Sequence, residues 1–126
     1  MAINKIMSEK FKFEIEFFES LLRKDTKNIE VIEILGELYT RSRRYKEGLK
    51  LDRKLVKLRP ENPTAHYNLA CSYALLERRA EAVQSLKDAI GKGYNDFKWM
   101  IQDQDLKGLH NYANFKKILE EHKIQT

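Results

Sequence analysis

Residues 29–62 read IEVIEILGELYTRSRRYKEGLKLDRKLVKLRPEN, and residues 63–96 read PTAHYNLACSYALLERRAEAVQSLKDAIGKGYND. A shift of 34 residues lays the first stretch on the second without a gap. Asn28 falls on Asn62, Leu35 on Leu69, Gly36 on Ala70 and Tyr39 on Tyr73. Glu47 falls on Glu81, Gly48 on Ala82 and Val56 on Ile90. Small, aromatic and aliphatic positions all recur, so two repeats organise the chain.

Within each copy the apolar spacing is helical. Ile32, Leu35, Leu38 and Tyr39 share one face; Leu49, Leu55 and Val56 form another after a break near Arg43–Arg44. In the second copy Leu69, Tyr73 and Leu76 precede a break near Glu77–Arg79, and Val83, Leu86 and Ile90 follow it. Each copy is therefore a helical hairpin. Pro63 suits a first helical turn with Asn62 as its N-cap. Gly91 and Gly93 suit a helix end, and Asn95 or Asp96 can cap the next helix. Gly36 with Ala70, and Gly48 with Ala82, put small residues where paired helices approach closely.

This pattern resembles the tetratricopeptide repeat. Ile32, Leu35, Gly36, Tyr39, Gly48, Asp52, Leu55 and Pro60 occupy the motif positions of the first copy. His66, Leu69, Ala70, Tyr73, Ala82, Leu86, Ala89 and Tyr94 occupy those of the second. The departures are Ile32 and His66 for the usual Trp, Asp52 for a bulky residue, and Tyr94 for Pro. Residues 8–24 read as a half-repeat helix, in which Phe18 and Leu21 align with Leu86 and Ala89. Residues 97–123 resemble the terminal cap of many bacterial tetratricopeptide proteins, through Gly93, Tyr94, Trp99, Asp103, Asp105, Leu106, Leu109, Phe115, Ile118 and Leu119. The fold class expected is all-α, a right-handed α-solenoid in one domain.

Composition agrees. The chain has 126 residues, 42% apolar and 34% charged, with 5 Gly and 2 Pro, which suits a helical domain better than a many-turned β-sandwich. Its one Cys excludes an intrachain disulfide and fits a reducing compartment, so the cytoplasm is expected. No apolar run approaches a membrane span, and the first residues lack the apolar core of a signal peptide. The net charge is +5, but residues 41–59 alone carry nine basic side chains against Glu47 and Asp52. That stripe is either a solvated helix face or a surface for nucleic acid or another anion.

Catalytic and metal motifs are missing. There is no Gly-rich phosphate loop, G-x-S-x-G, H-E-x-x-H or C-x-x-C. His66, His110 and His122 are far apart in the repeat frame. Asp103 reads as an N-cap with Asp105 in the first turn. Cys71 reads as a packed thiol with no His or Asp beside it, and Trp99 as core packing. No cofactor, metal or catalytic residue is expected.

The resemblance implies a non-catalytic scaffold or adaptor that binds a peptide or partner protein in a concave groove. In that frame the groove is lined by Glu30, Glu33, Glu37 and Thr40, then Thr64, Tyr67, Asn68 and Cys71, then Lys98 and Ile101. Asn68 sits at the position of the family's carboxylate clamp. Its neighbours Glu33 and Glu37 are acidic, which argues against a clamp; with Glu30 they form an acidic face that either prefers a cationic or amphipathic partner segment or neutralises the basic stripe on the neighbouring helix. The alternative is a nucleic-acid or anionic-surface binder using the basic helix 41–59.

Two further expectations concern single features. Asp52 breaks the core pattern and is expected to accept a hydrogen bond from His66 or Tyr67, or to reach Arg53 or Arg79. On the N-terminal helix, Phe11, Ile15, Phe18 and Leu22 suffice to cover the first hairpin, which leaves Phe13, Phe17 and Leu21 in surplus. Phe13 and Phe17 are candidates for homodimer contact, for cover by Ile3, Ile6 and Met7 or by a further domain, or for a small exposed patch without function.

Overall fold

The computed structural model describes residues 2–122, with side chains from Ser8 onward. Seven α-helices follow in order: α1 (Ala2–Lys24), α2 (Ile29–Arg41), α3 (Tyr45–Leu58), α4 (Pro63–Leu75), α5 (Arg79–Gly91), α6 (Phe97–Gln102) and α7 (Ala113–Glu121). A 3-10 helix, Gln104–Leu109, lies between the last two. No strand occurs among the described residues. Each helix from α1 to α4 packs on the next, the 3-10 helix packs on α4, and α7 packs on α5. Helix α1 starts at Ala2, six residues before the expected Ser8. Ile3, Ile6 and Met7 belong to its first turns, and their side chains lie outside the described residues.

The period of 34 is visible in the hydrogen bonds. Asn28 accepts from the Val31 N–H at 3.1 Å, Asn62 from Thr64 at 2.9 Å, and Asp96 from Trp99 at 3.1 Å, so each capping side chain starts a first-type helix. Helices α2 and α4 end alike. Arg43 N–H donates to the Thr40 carbonyl and Arg44 N–H to Tyr39; Glu77 N–H donates to Ala74 and Arg78 N–H to Tyr73. These are Schellman closures. Their left-handed residues, Arg43 at φ 64° and Glu77 at φ 60°, carry side chains where glycine is normally favoured. Helix α5 closes the same way on Gly93 at φ 111°.

Packing across the hairpins is repeated too. The guanidinium of Arg44 lies 4.9 Å from the Tyr39 ring centroid, and that of Arg78 lies 5.0 Å from Tyr73. Each Arg also forks a Glu three residues on, Glu47 and Glu81. A Cβ on Gly48 would stand 3.4 Å from Thr40 Oγ1, so the site takes a methyl group, as Ala82 shows, and little more.

Two clusters form the core. Ile15, Ile32, Leu35, Leu38, Tyr39, Leu51 and Leu55 join α1, α2 and α3, with Phe11, Phe18 and Leu22 packed against them. The larger cluster runs from Leu49 through Tyr73, Val83 and Leu86 to Met100, Leu106, Leu109, Phe115 and Ile118. Helix α7 and the 3-10 helix thereby seal the end of the stack. Phe13 is 72% exposed and Phe17 51%.

Candidate functional site

The first-type helices α2 and α4 and the cap enclose a cleft of about 310 Å³. Helix α2 contributes Glu33, Gly36, Glu37 and Thr40; α3 contributes Asp52 and Leu55. Helix α4 contributes Tyr67, Asn68, Cys71 and Ser72, because positions i, i+1, i+4 and i+5 share one side of a helix. Trp99, Asp103 and Asp105 close it from the cap. Five carboxylates line this space, and among the described residues no Lys, Arg or His does.

Of the residues expected in the groove, Glu33, Glu37, Thr40, Tyr67, Asn68 and Cys71 line the cleft, and Glu30, Thr64, Lys98 and Ile101 do not. Glu30 and Thr64 lie in the first turns of their helices, short of the cleft. On α6 the lining residue is Trp99 rather than Lys98, one residue and about 100° round the helix. Trp99 is 49% exposed and is therefore not core, contrary to its sequence reading; Met100 is the residue of α6 that fills the interior.

Asp52 also differs from expectation. Its partner is the Ser72 hydroxyl, which donates to Oδ2. The anticipated partners are engaged elsewhere. His66 Nε2 lies 2.7 Å from the Pro60 carbonyl, Tyr67 turns to the cap, and Arg53 Nε donates to the Tyr73 hydroxyl at 3.1 Å. Ser72 stands where repeat one has Leu38, so two polar departures from the repeat face each other across α3 and α4. Burial pushes the Asp52 carboxyl up to about 6, against the Ser72 hydrogen bond, which favours the charged form.

The deepest part of the cleft is a hydrogen-bonded group around Asp103, which is buried. Its Oδ1 caps the 3-10 helix by accepting the Asp105 N–H at 3.0 Å, as its N-cap reading requires. Its Oδ2 accepts the Tyr67 hydroxyl at 2.7 Å and faces the Cys71 thiol at 3.7 Å. Tyr67 in turn stacks on Tyr94, with centroids 4.3 Å apart and planes 3° from parallel. Sequence reasoning put no acid beside Cys71; folding of the cap brings up both Asp103 and Asp105. One ligand atom from each of the three lies within 4.8 Å of the others. Both Asp103 oxygens are already committed to protein donors. Burial, followed by the Asp103 charge, holds the Cys71 thiol well above its usual range, so it is a neutral thiol and a poor nucleophile near pH 7. Burial raises Asp105 as well, with Asp103 adding to it.

Helical hairpins in a 34-residue frame, with groove-lining first helices and a sealed end, decide the architecture. The fold is a tetratricopeptide-type α-solenoid. It superposes on the crystal structure of MamA with a TM-score of 0.65 at 19% identity, over 93% of this chain and 71% of that one. In sequence the chain is similar to a chloroplastic protein of Arabidopsis thaliana, 29% identical over 89 residues. That match covers 68% of this chain but only 27% of the relative. No protein-family model matches the chain. No helix among the described residues is long and apolar enough to cross a membrane.

Proposed function

We propose that this tetratricopeptide-type domain is a non-catalytic interaction scaffold that holds a cationic segment of a partner protein in the cleft between α2, α4 and α6. Two hairpins, residues 29–62 and 63–96, supply the groove, the half-repeat α1 starts the stack, and residues 97–122 cap it. The observation that carries the reading is the lining: Glu33, Glu37, Asp52, Asp103 and Asp105 with no cation among them, and a half-exposed Trp99 at the edge. Carboxylates and an indole face together suit a lysine or arginine side chain. A reducing compartment such as the cytoplasm fits a buried free thiol at Cys71.

The test is fluorescence anisotropy with labelled Lys/Arg-rich peptides. Glu33→Lys/Glu37→Lys is expected to weaken binding by about tenfold or more, with a steep salt dependence. Unchanged binding rejects the cleft as the site. Self-association through Phe13 and Phe17 is a separate proposal, resting on their exposure. Light scattering of the wild type against Phe13→Ser/Phe17→Ser checks it.

A further inference from the structure

A second surface lies on the other side of α2. Helices α1 and α3 flank a groove of about 720 Å³, floored by the half-buried Leu22 and, beneath it, the buried Leu35, Tyr39 and Leu51. Its rim is cationic: Arg23 near the end of α1, and Lys50, Arg53, Lys54 and Lys57 along α3. The α3 positions i, i+4 and i+7 form one row. Among the described residues, Arg23, Lys50, Lys54 and Lys57 form no salt bridge. The groove's two acids are already engaged, Glu19 by the Tyr39 hydroxyl and Glu47 by Arg44. This groove and the acidic cleft share no lining residue.

We propose that the α1–α3 groove docks an acidic amphipathic helix of a partner protein. The argument is complementarity of two kinds in one place. An apolar row at i, i+3, i+4 and i+7 of such a helix fits an apolar-floored trough between two helices. Acidic residues flanking that row then meet the lysine heads, while the lysine stems extend the apolar floor. A nucleic acid is the competing occupant of a basic rim, and it fits less well. Tyr39, the aromatic ring of this groove, is buried with its hydroxyl committed, so it offers no face for a base.

The probe is a synthetic helix with Leu at i, i+3, i+4 and i+7 and Glu at the flanking positions, followed by anisotropy on the full chain. The expected result is saturable binding that Lys50→Glu/Lys54→Glu/Lys57→Glu weakens by about tenfold or more. The Gln triple weakens it less, and a scrambled peptide of equal composition binds poorly. Circular dichroism confirms that the variants fold. Glu33→Lys/Glu37→Lys leaves this binding unchanged, so failure here and failure of the acidic cleft are read separately. The proposal is overturned if the probe does not bind, if the scrambled peptide binds equally, or if the lysine reversal has no effect. It is equally overturned if duplex DNA displaces the helix and binds more tightly through the same lysines.

Discussion

In repeat one, Asp52 faces the next hairpin; at the same position repeat two has Leu86. The backbones around them follow one plan, with matching caps, matching left-handed closures and matching Arg–Tyr contacts. Their neighbours differ. Leu86 belongs to a sealed cluster with Met100, Leu106 and Phe115, all fully or almost fully buried. Asp52 faces Ser72 and opens on the cleft beside Gly36, where even an added Cβ would sit 3.5 Å from its Oδ1. The repeat frame thus sets where a side chain points, and the next element decides whether that place is wet or dry. The Tyr contacts show the same rule. Position 39 donates to Glu19 of the preceding helix, and position 73, one repeat on, accepts from Arg53, which is 34 residues after Glu19.

The contrast between the repeats breaks most visibly if repeat two is given the residue of repeat one. Leu86→Asp is expected to cost about 4 kcal/mol, since it deletes a fully buried side chain and buries an unpartnered carboxylate. Urea unfolding measures this, and a loss near zero would mean that the capped end admits water.

Removing the charge from repeat one sharpens it. The folded Asp52 titrates at about 6, above the ordinary 3.8, so the fold favours its protonated form. Its contribution is therefore fully present below pH about 4 and is lost as pH rises through about 6. Asp52→Asn is expected to stabilise the protein by about 2 kcal/mol at pH 8, with the gap closing towards pH 4. Thermal melts across that window check both the size and the sign.

A smaller effect probes the contact between repeat two and the cap. Tyr67→Phe leaves one buried Asp103 oxygen with the Cys71 thiol as its partner and is expected to cost about 1–2 kcal/mol. Unfolding of Tyr67→Phe, Cys71→Ala and the double variant separates the two contacts.

The smallest effect tests the equivalence of the two turns. Arg43→Gly and Glu77→Gly remove a side chain from a left-handed position, and each is expected to add about 0.5–1 kcal/mol. Unequal gains would show that one turn's side chain makes contacts the other lacks.

Much of the fold was legible because its signals are local. The 34-residue shift, the capping Asn28 and Asn62, the small residues at 36, 48, 70 and 82, and the breaks near Arg43 and Glu77 all act within a helix or between sequence neighbours. The cleft was half legible. Glu33, Glu37, Tyr67, Asn68 and Cys71 follow from helical position in the repeat. Ser72 carried a readable signal, a hydroxyl where the repeat has Leu38, opposite the equally polar Asp52. Trp99 carried none: a one-residue rotation of a short helix decides whether the indole or Met100 turns inward.

The sequence by itself determined the period, the helices and the faces they bury, because hydrophobic spacing and capping chemistry operate over one or two turns. Only the tertiary structure decided which carboxylates converge. Asp103 reaches Tyr67 from 36 residues away because the cap folds back on α4, and Asp52 finds Ser72 because α3 and α4 pack in that register. The tertiary structure also set Lys50, Lys54 and Lys57 opposite Arg23 across an apolar trough. Such meetings depend on the packing angle between elements, which no local pattern encodes.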